Sequence, residues 1–296
     1  MLKRLLFIVS FLVFCNAHAE NDKAFVWEVS SDNATVYLVG SIHFADKSFY
    51  PLRPEIEQAF DRSQYLVVEL DISKTGSDEY NQLLAQNGIY KDGATIKDAI
   101  SNETWQQLQQ RLQQLNVSYD AIKKYKPGVI VLTLSAVQVM QMGFDPQLGI
   151  DAYFLAKASQ QDSAKQIIEL ETLESQVSLF INAPDGELLL KESLYSLDED
   201  ELLMADMVRF WKQGDVMQMN RLLFEDALND NPAFSKIYDS LFYDRNEQMT
   251  IKIESMLQQN AEQRNYYFVV VGSGHLIGDR GIVNALQEKG YRVRRF

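Results

Sequence analysis

Two apolar runs near opposite ends of this chain each stop at a glycine and carry a histidine three residues further on. Val36-Tyr37-Leu38-Val39 leads into Gly40-Ser41-Ile42-His43, and Phe268-Val269-Val270-Val271 leads into Gly272-Ser273-Gly274-His275. A strand that ends at the glycine puts the imidazole on the loop beyond its C-terminal end, the rim where open α/β sheets bind ligands. A lone strand-Gly-x-x-His arises easily by chance. Two of them, bracketing most of the chain, predict that His43 and His275 share one site.

The third histidine, His18, falls in a segment that reads as a secretory signal. Lys3 and Arg4 form a basic start, Leu5 to Phe14 an apolar stretch too short for a membrane span, and Ala17-His18-Ala19 a small-x-small cleavage site. The expectation is a signal peptide over residues 1–19, cleaved after Ala19, and a periplasmic or secreted product with no stable membrane span. Cys15 fits a lipid-attachment site badly because bulky Phe14 precedes it. With Cys15 removed the chain has no cysteine, so disulfides and thiolate chemistry are excluded. Without Lys3 and Arg4, 26 basic residues face 41 acidic ones, a formal charge of −15. Such a surface repels nucleic acid and anionic lipid, so neither is expected as a partner.

The β-forming segments gather toward the two ends. Phe25 to Val29 and Thr35 to Val39 flank Ser30-Ser31-Asp32-Asn33 as a hairpin. Further strands are expected at Tyr65 to Leu70, Gln166 to Leu170, Tyr267 to Val271 and Tyr291 to Arg294. The middle, about residues 73–260, reads as mostly helical, with Pro54 and Pro127 at first helical positions and further helical stretches that include 186–213 and 234–257. The predicted architecture is α/β (α+β): a central mixed β-sheet built from both chain ends, helices packed around it and an α-helical cap, in one domain over 20–296.

Two converging imidazoles serve as metal ligands, as acid and base, or as donors to an oxyanion. A hydrolytic site also calls for a carboxylate, and Glu69 is the leading choice because it ends a hydrophobic strand at the same rim. Asp71 shares its face if that strand continues, and Glu169 and Glu171 repeat the pattern after the next strand. Any one of these acids, taken alone, fits a helix cap or a solvated loop equally well. No His-Glu-x-x-His helix and no Gly-x-Ser-x-Gly elbow occurs, and Ser41 and Ser273 read as small loop residues. Gly272 to Gly278 resembles a dinucleotide-binding loop, but it has one residue too many and no second-strand acid follows to hold a ribose.

Taken in order, several blocks resemble the TraB/GumN family, related to the TIKI proteases. They are Val39-Gly40-Ser41-Ile42-His43, Tyr50-Pro51-Leu52, Leu66 to Asp71, Gly149-Ile150-Asp151-Ala152-Tyr153-Phe154, Leu170 to Gln176, Asp244 to Met249 and Gly272-Ser273-Gly274-His275-Leu276. The wider clan is similar to erythromycin esterases and a ChaN-like haem-binding lipoprotein. The resemblance implies an exported hydrolase, a metal-dependent peptidase in which His43, Glu69 and His275 hold one divalent metal (manganese, cobalt or zinc) and activate water. Should Glu69 act as general base, Asp71, Glu169 or Glu171 completes the metal's shell. Arg245 is expected either to stabilise the oxyanion or bind a substrate carboxylate, with Asn246 fixing it, or to form a core or helix-surface salt bridge, while Gln176 and Glu174 support a helix. Two alternatives stand beside this: a metal-independent esterase with His43 and Glu69 as base, and a non-catalytic metal- or haem-binding protein. The substrate is thus a peptide or a small ester.

Overall fold

The computed structural model describes residues 22–74, 77–160, 165–198, 200–260 and 262–296. The expected signal peptide, with His18 and Cys15, lies outside the described residues. Six strands form one mixed sheet: β1 (Val26–Ser30), β2 (Ala34–Ser41), β3 (Tyr65–Val68), β4 (Gln166–Glu169), β5 (Asn265–Gly272) and β6 (Arg292–Arg295), in the order β4-β3-β5-β2-β1-β6. The β1–β2 hairpin pairs Val29 with Val36, and β6 pairs antiparallel with β1. By contrast β2, β5, β3 and β4 run parallel, so their C-terminal ends share one edge.

Chain order and spatial order differ in one decisive place. The last long strand, β5, inserts between β2 and β3, with Ser41 opposite Gly272 and Val68 opposite Val270. Both central strands are covered on both faces, which is why they read as nearly continuous Val, Leu, Tyr and Phe rather than as alternating patterns. Each fully buried Val, Leu or Phe there contributes about 1.5–3 kcal/mol. The edge strand β6 is instead Arg-Val-Arg-Arg and largely exposed, a charged edge that discourages pairing with a further chain.

Helices cover the sheet and build a second layer beyond it. Pro54–Arg62 starts at its proline and buries Ile56, Ala59 and Phe60 on one face. Asn102–Gln114 is capped by the Ser101 side chain, and Leu108 and Leu112 pack with Ile130, Leu134 and Leu190 in a separate all-helical core. Pro127–Gln141 is the buried core helix its composition predicts. No helix among the described residues is long and apolar enough to cross a membrane.

The two long stretches read as helical, 186–213 and 234–257, are helical among the described residues. Over 186–213 they are Gly186–Asp198 and Asp200–Gln213. Within 234–257 a π-helical segment, Asp239–Tyr243, lies between the α-helical Ser235–Tyr238 and Asp244–Gln258. A second π segment, Arg221–Glu225, interrupts the preceding helical stretch. Apolar periodicity near 3.6 cannot reveal one inserted residue, because a π turn shifts the phase without removing the pattern.

Candidate active site

The rim of the parallel strands gathers the site. His43 follows β2, Glu69 follows β3, Glu171 lies just past β4, and His275 sits in the short helix Ser273–Leu276 directly after β5. Glycine at 272 leaves the centre open. A Cβ there would lie 3.3 Å from Glu69 Oε1, 3.4 Å from His43 Nε2 and 3.5 Å from His275 Cδ2. Three side chains predicted from sequence therefore converge on one point beside the backbone. Gly40, the glycine of the other motif, lets the two loops pack, because a Cβ there would meet Ser273 Oγ at 2.8 Å. Ser273 in turn donates to the Ser41 carbonyl at 2.9 Å, a structural role for a loop serine.

Each imidazole is oriented through its far nitrogen. His43 Nδ1 is 3.0 Å from Asp151 Oδ2, and His275 Nδ1 is 2.6 Å from Asn246 Oδ1. Both partners are oxygen acceptors, which puts a proton on Nδ1 of each ring, so in its neutral form each ring turns an Nε2 lone pair toward the site. Asp151 stands in the first turn of Ile150–Ala158, whose start approaches His43 so closely that a Cβ on Gly149 would be 2.3 Å from the His43 carbonyl. Thus Gly149-Ile150-Asp151 has a physical reading: the glycine admits the helix end and the aspartate holds the imidazole. Tyr50 supports the same corner by donating to the Leu148 carbonyl at 2.7 Å. Asn246 is itself fixed by donating to the Arg280 carbonyl at 2.9 Å.

Glu69 sits in a tight ionic lattice. Its Oε1 accepts the Gly272 N–H, and its Oε2 accepts from Arg245 Nη2 at 2.7 Å. Arg245 also grips Glu171 through Nε and Nη2, both at 2.7 Å, and gives Nη1 to the Leu241 carbonyl at 2.8 Å. Gln176 bridges the two acids, donating to Glu171 at 2.8 Å and to Glu69 at 3.4 Å.

Several sequence expectations change here. Of the two readings of Arg245 the contacts match the core salt bridge: nearly all its donors are committed to protein acceptors, Glu69 and Glu171 among them. Asn246 holds His275, not Arg245. Gln176 joins the acidic network instead of merely supporting its helix, where Thr172 caps and Glu174 stays exposed. Asp71 and Glu169 point away: β3 ends at Val68, Asp71 turns to cap Ser73, and Glu169 takes the Asp71 N–H and pairs with Lys74. Sequence reasoning gave Asp151 no role. Its only signal was the Gly-x-Asp spacing at a helix start.

Charge states follow from these contacts. Burial opposes the charge on His43. The Asp151 carboxylate outweighs that burial and raises His43 to about 9. His275 is almost wholly enclosed, and burial lowers it to about 4 despite nearby Glu69. Burial also works against the Glu69 carboxylate, but the positive groups around it (His275, Arg245 and His43) and the Gly272 amide win, pulling it down to about 2.

The two imidazoles therefore bias metal-free stability in opposite directions. The His43 contribution is complete below 6.5 and lost as pH rises through about 9; the His275 contribution is complete above 6.5 and lost as pH falls through about 4. Carbon-13 NMR of the metal-free protein over residues 20–296, which hold two histidines, should show one imidazole titrating near 9 and the other near 4. Two titrations near 6.5 would contradict these contacts.

With neutral imidazoles, Glu69, Glu171, Asp151 and Arg245 sum to two net negative charges, and both Nε2 atoms are free to donate. That combination of inward imidazole nitrogens, held by outer oxygen partners, fits a divalent cation. Among the described residues, however, no three His, Cys, Asp or Glu side chains already stand as a ligand cluster, and Glu69 Oε2 is 3.8 Å from His275 Nε2.

The model of the TraB/PrgY/gumN family matches residues 25–295. The chain belongs to that family. It is 26% identical over 256 residues to the uncharacterized protein YbaP of Escherichia coli, covering 86% of this chain and 89% of that one. Metalloprotease TIKI2 of Danio rerio is 25% identical over 322 residues, covering 91% of this chain and 60% of the relative. A metalloprotease TIKI homolog of Amphimedon queenslandica is 38% identical over 60 residues, 20% of this chain and 11% of that one. No solved structure matches the chain.

Proposed function

We propose that this chain is an exported, metal-dependent hydrolase that cleaves peptide bonds, with His43, His275 and Glu69 as the residues that would hold the cation. The observation that carries this reading is the convergence of His43 Nε2, Glu69 Oε1 and His275 on Gly272 while both Nδ1 atoms are tied to oxygen. Similarity to proteins named metalloproteases favours a peptide over an ester. Bound at such a site, manganese, cobalt or zinc lowers the pKa of a water and polarises a carbonyl oxygen.

The chain's own residues prepare for that chemistry. Asp151 and Asn246 fix the imidazole orientations, and Arg245 with the Gly272 amide keeps Glu69 ionised. A carboxylate held near 2 is a poor proton acceptor, so Glu69 serves better as an anionic ligand than as a general base. The metal-independent esterase fares worse on the same ground. With His43 near 9, His275 near 4 and Glu69 near 2, none of these three groups is poised to take a proton at neutral pH.

The test is purified protein spanning residues 20–296 incubated with a diverse peptide library, in Mn²⁺ or in EDTA, beside His43→Ala. Cleavage is expected in Mn²⁺ and absent in both EDTA and the variant. Cleavage that persists in EDTA would move the chain to the esterase-type mechanism, and metal or haem uptake without turnover would make it a binding protein.

A further inference from the structure

A largely apolar cavity of about 300 Å³, partly open, lies among the cap helices next to the rim site. Two consecutive residues belong to both places. Leu241 lines the cavity while its carbonyl holds Arg245, and Phe242 lines the cavity while its ring sits 5.3 Å from the His275 ring. The second glycine of Gly-Ser-Gly-His makes this contact possible, because a Cβ on Gly274 would lie 2.9 Å from Phe242 Cε1.

Both π-helical segments contribute to the cavity wall. Arg221–Glu225 supplies Leu222 and Leu223, and Asp239–Tyr243 supplies Leu241 and Phe242. A π turn is rare and is frequent at functional sites. Two such segments line one cavity with four apolar side chains, and one of these, Phe242, packs its ring against that of His275. The acids on the wall are already engaged: Glu192 accepts from the Tyr238 hydroxyl at 3.1 Å, and Asp226 pairs with Arg221 at 3.2 Å. That leaves the space better suited to an apolar side chain than to a basic one.

We infer that this cavity is the specificity pocket of the site, receiving a large apolar side chain (leucine or phenylalanine) next to the bond that is cleaved. The inference rests on the hydrolase reading for the bond, but the pocket itself can be tested without turnover. Its size is at the lower end for small-ligand pockets, enough for one side chain rather than a folded segment.

The first arm is binding. N-acetyl-phenylalaninamide and N-acetyl-leucinamide are titrated into the protein while the His275 imidazole signals are followed by NMR. A saturable shift is expected for both probes and none for N-acetyl-lysinamide. Ala227→Phe, which fills the cavity from one wall, should abolish the shift. Ser135→Phe fills it from the helix Pro127–Gln141 and serves if the first variant does not fold. The second arm compares peptides differing only beside the cleaved bond, where Leu or Phe should exceed Ala by at least ~10-fold in kcat/KM. Absence of a saturable shift, or equal shifts in wild type and both folded variants, overturns the pocket, as does a preference for Lys. Binding without cleavage of any peptide would instead remove the hydrolase reading and leave the pocket standing; cleavage without apolar preference does the reverse.

Discussion

Arg245→Met should lower the free energy of unfolding by about 3–5 kcal/mol, because it strands two buried carboxylates that share one cation. The Arg245 side chain is 15% exposed, and Glu69 and Glu171 are 10% and 11% exposed, so water cannot replace the guanidinium. Methionine keeps much of the length and none of the charge, which isolates the ionic loss from a packing loss. Urea unfolding of residues 20–296 at neutral pH reads the difference directly. The double variant Arg245→Met with Glu171→Gln should recover part of it by removing one uncompensated charge. A loss under about 1 kcal/mol in the single variant would mean that the lattice is far better hydrated than the contacts indicate.

His275→Ala is expected to reduce peptide cleavage by at least ~100-fold and to weaken Mn²⁺ binding in titration calorimetry, since it removes a site nitrogen together with its contact to Phe242. Replacing the outer partner should be milder. Asp151→Asn should cost ~10–100-fold in metal affinity or activity, because the His43 ring remains present but is held less firmly. Unchanged Mn²⁺ affinity in folded His275→Ala would take that residue out of the cation site. Equal losses in Asp151→Asn and His275→Ala would place Asp151 among the direct participants.

Much of this site was legible in the chain because its signals are local. A strand that stops at Gly40 or Gly272 needs no tertiary information to announce a rim, and the Glu after Tyr65 to Val68 announces itself in the same way. What stayed hidden depended on faces and partners. Asp71 shares a face with Glu69 only while the strand continues, and β3 ends at Val68. Asp151 and Asn246 lie within helical stretches, where an Asp or Asn gives no hint that an imidazole from 108 or 29 positions away will meet it. The π segments were invisible because one inserted residue leaves the apolar pattern intact.

By itself, then, the sequence determined the elements and their chemistry: six strands biased to the two ends, a helical middle, and two histidines and a glutamate at strand ends. Those follow from side-chain periodicity and backbone propensity, which act over a few residues. Only the tertiary structure decided that β5 slips between β2 and β3, bringing Gly272 opposite Ser41 and His275 beside Glu69. Strand order is set by which buried faces pack best across the whole sheet, a long-range choice that no local pattern encodes.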